Sequence, residues 1–257
     1  MMASKLALLM LLCAAEAAAT DCRPLVMRKG AKPFTVGEDL EYELSSLGVR
    51  IGTLTTHVEA PANGKGGYTF RVRADTSSFV STFKKIKARA EAAAAKDLKP
   101  AAYEEESSED GVHRSMKTKF PPRSGRIGVQ MLLQGEPGAY ELEAAADARD
   151  LVSAVYTLRA LDLKLGQEFC AQVFGQWRLW KVTGKVAARE RILTPAGEFA
   201  TLRIDGRAIR ADDAKVQREI HLWLTDDARG TPVGGYGMAH GKPVQALLQK
   251  ALPNEKR

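Results

Sequence analysis

Apolar and polar residues alternate with a period of two along most of this chain, the pattern of strands with one buried face. Leu40, Tyr42 and Leu44 alternate with Glu41, Glu43 and Ser45. After the turn cluster Asn63-Gly64-Lys65-Gly66-Gly67 the alternation resumes over Tyr68 to Arg73, so these two runs are expected to form a hairpin around an Asn-Gly turn. Glu109-Asp110-Gly111 separates a second pair, whose return strand runs from His113 to Phe120 and stops at Pro121-Pro122. In the C-terminal half, Glu168 to Phe174, Gln176 to Thr183 and Lys185 to Leu193 are strand-like runs separated by glycines. Thr194-Pro195-Ala196-Gly197-Glu198 reads as a turn into a long strand, Phe199 to Ile209. Ala200, Leu202, Ile204 and Ala208 share one face of it, and Thr201, Arg203, Asp205 and Arg207 the other. Val216 to Leu224 follows, with Ile220, Leu222 and Leu224 together. Strands at this spacing predict a mainly β protein: a curved antiparallel sheet, or an open barrel or clam, with one or two short helices.

Helical spacing occurs in two places. Leu151, Val155 and Leu158 recur at helical intervals behind Asp150, a suitable N-cap, and Gly166 stops the run after a short extension. Val244 to Leu252 repeats its apolar residues like a short amphipathic helix. Lys84 to Lys96 is rich in alanine, a helix former. Yet Ile86, Ala88, Ala90 and Ala92 alternate with Lys87, Arg89 and Glu91, which favours a half-buried strand.

The first residues change the picture from fold to address. Lys5 precedes the apolar run Leu6 to Ala15, too short for a membrane span, and Ala17 and Ala19 supply a small-residue cleavage pattern. Residues 1–19 therefore read as a signal peptide, and 20–257 as one β-rich domain without internal repeats or a dividing linker. No later segment is apolar for the length of a span, so no transmembrane segment is expected after the leader is removed, and the product is expected to be periplasmic or otherwise exported. The net charge of +7 favours anionic partners such as phospholipid headgroups, lipopolysaccharide phosphates or acidic glycans. Nucleic acid does not suit an exported chain. Cys22 and Cys170 are a candidate disulfide in an oxidising compartment, worth about 5 kcal/mol at most in the chain-entropy treatment. Lipidation of Cys22 is the alternative, but Thr20-Asp21 places a bulky charge where small residues are needed.

Candidate chemistry is sparse. His57, His113, His221 and His240 are scattered, no Cys-x-x-Cys is present, and no metal or cofactor is expected. There is no Gly-x-Ser-x-Gly elbow for a nucleophile. Gly234-Gly235-Tyr236-Gly237 lacks the Gly-Lys-Ser/Thr ending of a phosphate loop and reads as a turn or bulge. Asp226-Asp227 follows a strong strand and is either a tight turn or an acid–base pair. The tryptophans say more. Trp177 and Trp180, read in one strand, point to opposite faces, and Trp223 lies opposite Ile220, Leu222 and Leu224. A sheet apolar on both faces must be covered twice, by a helix such as 151–161 for instance, or must enclose something apolar.

The ordered motifs of the chain resemble a known family. They are Pro33-Phe34-Thr35-Val36-Gly37-Glu38-Asp39-Leu40-Glu41-Tyr42, Leu98-Lys99-Pro100-Ala101-Ala102-Tyr103, Asp150 to Ser153 through Tyr156 and Arg159, Pro195 to Phe199, and Trp223 to Asp227 through Pro232-Val233. Over residues 33–241 the set is similar to the bacterial domain of unknown function 3108 family. The resemblance implies an exported envelope protein with a curved antiparallel sheet, supports a strand before Leu98-Lys99-Pro100, and implies no activity. Fold analogy extends to periplasmic lipoprotein carriers.

The leading functional expectation is a non-catalytic binding or carrier module for an amphipathic, anionic envelope lipid or glycan. Tyr156, Trp177, Trp180 and Trp223 would supply apolar contact, and Arg159, Arg203 and Arg207 charge. Arg159 has the alternative of pairing with an acid such as Asp226. A structural or assembly factor docking on an envelope protein complex is the second expectation, and an envelope hydrolase using Asp226 or Asp227 the third.

Overall fold

The computed structural model describes residues 25–61, 66–81, 85–120, 125–239 and 241–252. The expected leader, Cys22, His240 and the Pro121-Pro122 stop lie outside these residues. Within them the chain is mainly β and forms one curved sheet of 15 strands.

The strands follow the chain as a meander. β1 (Asp39–Ser46), β2 (Val49–Glu59), β3 (Tyr68–Thr76), β4 (Ile86–Ala94), β5 (Pro100–Glu109), β6 (Val112–Lys119), β7 (Arg126–Leu133) and β8 (Glu136–Glu143) each pair with the next. The short helix α1 (Ser78–Ser81) lies between β3 and β4. A two-residue strand, β9 (Arg149–Asp150), leads into helix α2 (Leu151–Arg159). The second meander is β10 (Glu168–Gly175), β11 (Arg178–Thr194), β12 (Gly197–Arg210), β13 (Asp213–Thr225), β14 (Pro232–Ala239) and β15 (Lys242–Leu252). β15 then pairs with β1, joining the two halves. All pairings are antiparallel except β9 with β10.

Tight turns set the register. Leu47-Gly48, Asp110-Gly111, Gln134-Gly135 and Gln176-Trp177 are two-residue loops whose central residues all have positive φ, the turn whose twist suits a hairpin. Two expectations fall here. Trp177 sits in a turn at φ 68°, not in the strand with Trp180, so the two indoles are not on opposite faces of one strand. The Asn63 turn joins β2 and β3, not the Leu40 run, because β2 intervenes; residues 62–65 of that turn lie outside the described set.

Other differences follow from tertiary pairing. Val244 to Leu252 is strand β15, hydrogen-bonded to β14 on one side and β1 on the other, so a double ladder overrides its local helical spacing. Gln176 to Thr183 and Lys185 to Leu193 lie on one long strand, β11, apart from the turn residues Gln176 and Trp177. The glycines 234, 235 and 237 lie inside β14 rather than in a turn. A Cβ on Gly234 would meet the Trp223 ring at 3.1 Å and Ile192 at 3.2 Å, so this glycine lets an indole lie against the strand. Lys84 to Lys96 contains β4, as its alternation indicated.

The sheet wraps until its two edges, β8 and β9, approach each other. Tyr140 of β8 donates its hydroxyl hydrogen to the Trp177 carbonyl at 2.9 Å, and the Ala145 amide donates to the Gln172 side chain at 2.6 Å. No strand pairs with the outer edge of β8 among the described residues, so the barrel is not closed. Its interior holds the largest core: Phe34, Val58, Phe70, Tyr103, Met116, Val129, Val152, Tyr156 and Phe174 are all buried together. Two smaller cores flank it. Val186, Leu202, Ile204 and Leu224 pack with Leu158 and Phe169. Leu40, Tyr42, Val233 and Leu248 pack with Ile192, Phe199 and Trp223. The apolar residues on both sides of the C-terminal strands are therefore covered twice by the protein itself.

Candidate functional site

The centre of the molecule is α2 and what it touches. Asp150 caps it: one carboxylate oxygen accepts from the Val152 and Ser153 amides at 2.9 and 2.8 Å. Asp150 is fully buried, and loss of water raises its carboxyl to about 6, with the capping hydrogen bonds opposing the shift. The most buried positions of α2 are Val152, Ser153, Tyr156, Thr157 and Arg159. The expected apolar stripe is displaced: Leu151 is 45% exposed, while Leu158 serves the second core. The helix is wedged between cores, so polar residues on its flanks are buried along with apolar ones.

Tyr156 stacks on Phe70 with ring centres 3.9 Å apart and meets Phe34 edge-on at 5.0 Å. Burial pushes its pKa up to about 12, with the Arg159 guanidinium opposing the shift. One turn later, Arg159 is 2% exposed and makes a bidentate pair with Glu38 at 2.6 and 2.9 Å. It also donates to the Pro33 carbonyl at 2.8 Å and the Arg229 carbonyl at 3.3 Å, and lies over the Phe34 and Tyr156 rings. The acid partner of Arg159 is thus Glu38, not Asp226. Glu38 lies 121 residues away in sequence, and no spacing signal links the two. Nearby, Tyr42 donates to the Pro232 carbonyl at 2.9 Å, and burial raises its pKa strongly.

A second cluster closes the other end of this core. Glu105 accepts from the Tyr103 hydroxyl and the Gln176 amide, both at 3.0 Å. Burial raises its carboxyl pKa, with both hydrogen bonds opposing. Glu105 therefore ties the β10–β11 turn, and with it Trp177, across the interior to β5. Trp177 packs against the main core, and Trp180 is buried, donating to the Gly175 carbonyl at 3.1 Å with the Arg218 guanidinium 4.7 Å from its ring centre. In the sequence Glu38 stands out only as part of the Pro33 to Tyr42 motif and Glu105 not at all; both look like ordinary polar positions of a strand or its approach until the far partner is known.

The remaining candidates lie away from α2. Trp223 donates to Glu190 at 2.6 Å, and Arg203 contacts Glu190 at 3.3 Å and Asp205 at 3.0 Å. Arg207 lines an open groove of about 1080 Å³ together with Lys185, Asp205, Glu219 and His221. His221 lies between Asp205 at 2.8 Å and Glu219 at 3.1 Å. The groove also reaches Cys170, which is disulfide-bonded. Its expected partner, Cys22, lies outside the described residues. The seven candidate ligand residues therefore do not converge: Tyr156 and Arg159 are in the main core, Trp177 is in the β10–β11 turn, Trp180 is buried in β11, Trp223 packs against the small core of Leu40, Tyr42, Val233 and Leu248, and Arg203 and Arg207 are on other parts of the sheet.

Asp227 accepts from the Thr225 hydroxyl at 2.8 Å and from the Arg229 and Gly230 amides at 2.9 and 3.0 Å. Asp226 pairs with Arg189 at 3.0 Å. Asp227 holds the turn and Asp226 is tied to β11, while the Arg229 side chain is directed toward Glu38. Among the described residues, no group of three or more His, Cys, Asp or Glu is arranged to hold a metal ion, and no helix is long and apolar enough to cross a membrane.

No curated protein sequence matches the chain. A solved structure from Brucella abortus, a beta-barrel-like protein of domain of unknown function DUF1849, is similar over 83% of this chain and 96% of its own, at 12% identity and a TM-score of 0.56. A YmcC-like fold from Bacteroides fragilis aligns with 87% of this chain and 99% of its own, at 10% identity and a TM-score of 0.34. The first likeness supports a barrel-like fold and speaks for fold alone. The model of the family described as protein of unknown function (DUF3108) matches residues 41–233, from β1 through α2 to the start of β14. The chain belongs to the DUF3108 family.

Proposed function

We propose that this protein is an exported, non-catalytic β module that works by docking a partner of the cell envelope on its outside, as a structural or assembly factor. The observation carrying this reading is the filled interior: α2 occupies the concave face, with Tyr156 stacked on Phe70 and Arg159 bound to Glu38. A carrier needs a concave apolar space free for its ligand. Here the apolar residues of that face spend their area on the protein's own helix and turn. Export is supported by the leader-like residues 1–19 and by the disulfide at Cys170, which suits an oxidising compartment.

The test is native mass spectrometry of the full chain purified from envelopes, before and after mild delipidation. The expected spectrum shows the processed polypeptide without a stoichiometric lipid. A one-to-one lipid adduct that survives washing would return the function to a carrier of an anionic envelope lipid.

A further inference from the structure

The outward face of β2–β6 carries rows of charged side chains, and one row is unbalanced. Where Arg71 sits, both flanks hold a carboxylate: Glu59 on β2 and Glu91 on β4. Glu91 and Glu104 face each other in that row, yet each has its own cation, Arg71 and Lys117. One row away, Arg73 lies directly opposite Arg89. Like charges directly opposite on neighbouring strands destabilise a sheet. Arg89 is satisfied on its far side by Glu106, whose carboxylate accepts from its Nε at 2.8 Å. Arg73 has only Thr55 on its far side and makes no ion pair or side-chain hydrogen bond among the described residues. Lys87, in the next row, likewise makes none, although Asp75 is its cross-strand neighbour.

These cations line an open groove of about 620 Å³. Its lining also includes Ser108, Ser115 and Leu132, together with the carboxylate residues Asp75 and Glu106. Arg89 spends its Nε and one terminal nitrogen on Glu106, leaving donors of the other nitrogen available. Arg73 keeps its whole fork. Two arginines directly opposite on neighbouring strands, one of them unpaired, beside an unpaired lysine and two serines, supply the donor types that grip a tetrahedral oxyanion.

We propose that this groove binds a phosphate-class anion between Arg73 and Arg89, with Lys87 and Ser115 as further donors. The bound anion supplies the missing negative charge of the row. The chemistry is shared by free phosphate and by a phosphorylated lipid headgroup. The inference does not rest on the docking reading above: it is argued from the charge pattern of β2–β6 and not from the filled interior.

The experiment compares the full chain with Arg73→Gln, and with Arg71→Gln as a control of equal charge change in the neutralised row. Thermal unfolding is followed in inorganic phosphate or pyrophosphate against chloride of matched ionic strength. The wild type and Arg71→Gln are expected to gain stability in phosphate. Arg73→Gln is expected to lose about tenfold in phosphate affinity, the size of one lost charge-assisted contact. In chloride, Arg73→Gln is expected to melt no lower than the wild type, because it removes a like-charge contact. Co-sedimentation with phosphatidylglycerol and with phosphatidylcholine vesicles separates the sources. Arg73-dependent binding to the former alone identifies a lipid headgroup, and phosphate stabilisation without vesicle binding identifies a free anion. Absence of any phosphate-specific stabilisation in the wild type, or equal losses in Arg71→Gln and Arg73→Gln, overturns the site.

Discussion

The inner and outer faces of β2–β7 are one residue apart along every strand, yet different forces hold them. Inward, Val58, Phe70, Ala92, Tyr103, Thr118 and Val129 form a row of cross-strand neighbours, each at most 1% exposed. Outward, His57, Arg71, Glu91, Glu104, Lys117 and Gln130 form the matching row, which is tied together by ion pairs in water. The inner row is held by burial, where each removed group leaves a void or an unpaired charge. The outer row is held by screened charges whose pairs are individually worth little. Stability should therefore reside in one face, and the other face is free to vary or to bind.

That contrast can be broken hardest from the inside. Phe70→Ala removes the ring that stacks on Tyr156 and should cost about 3–5 kcal/mol in chemical denaturation. Glu38→Ala leaves Arg159 buried without its carboxylate and should cost a similar amount, about 3–5 kcal/mol. A loss below 1 kcal/mol for either would mean that α2 is not the plug described above.

A smaller effect depends on pH. Asp150 is held at about 6 in the folded protein, above the ordinary value of about 3.9. The native state thus binds this proton more tightly than the unfolded chain does. Its contribution to stability is full below about pH 4 and is lost as pH rises through 6, for a total of about 3 kcal/mol. Glu105 acts in the same direction. Asp150→Asn keeps a capping oxygen and removes the charge, so urea unfolding between pH 4 and 7 should show a shallower decline than in the wild type. An unchanged slope would assign the pH dependence elsewhere.

The smallest effect belongs outside. Arg71→Gln removes the contacts with Glu59 and Glu91 at a residue whose side chain is 41% exposed. It should change unfolding free energy by less than about 1 kcal/mol, and less still at high salt. A cost comparable with that of Glu38→Ala would erase the distinction between the faces.

Much of the inner and outer assignment could be read from the chain, because a strand alternates its faces whatever it pairs with. The faces of Phe199 to Ile209, the Asp110-Gly111 turn and the Asp150 cap all follow from local spacing and local hydrogen bonds. The site could not be read in the same way. Arg159 displayed a charge near an apolar helix, but its partner Glu38 is supplied by the approach to β1. Trp177 and Trp180 were separated by a turn that carries no glycine at its second position, so the usual turn signal was missing.

By itself, the sequence determined the strand-rich class, the face on which each alternating residue lies, the start of α2 and the family. It could do so because dihedral preferences, side-chain period and capping act over a few residues. Only the tertiary structure decided that Val244 to Leu252 is a strand, since its two neighbours in the sheet come from opposite halves of the chain. It also decided that α2 fills the concave face and that Arg73 meets Arg89 without a counter-charge of its own. Those outcomes depend on which distant segments share a ladder or a core, and no local period encodes that choice.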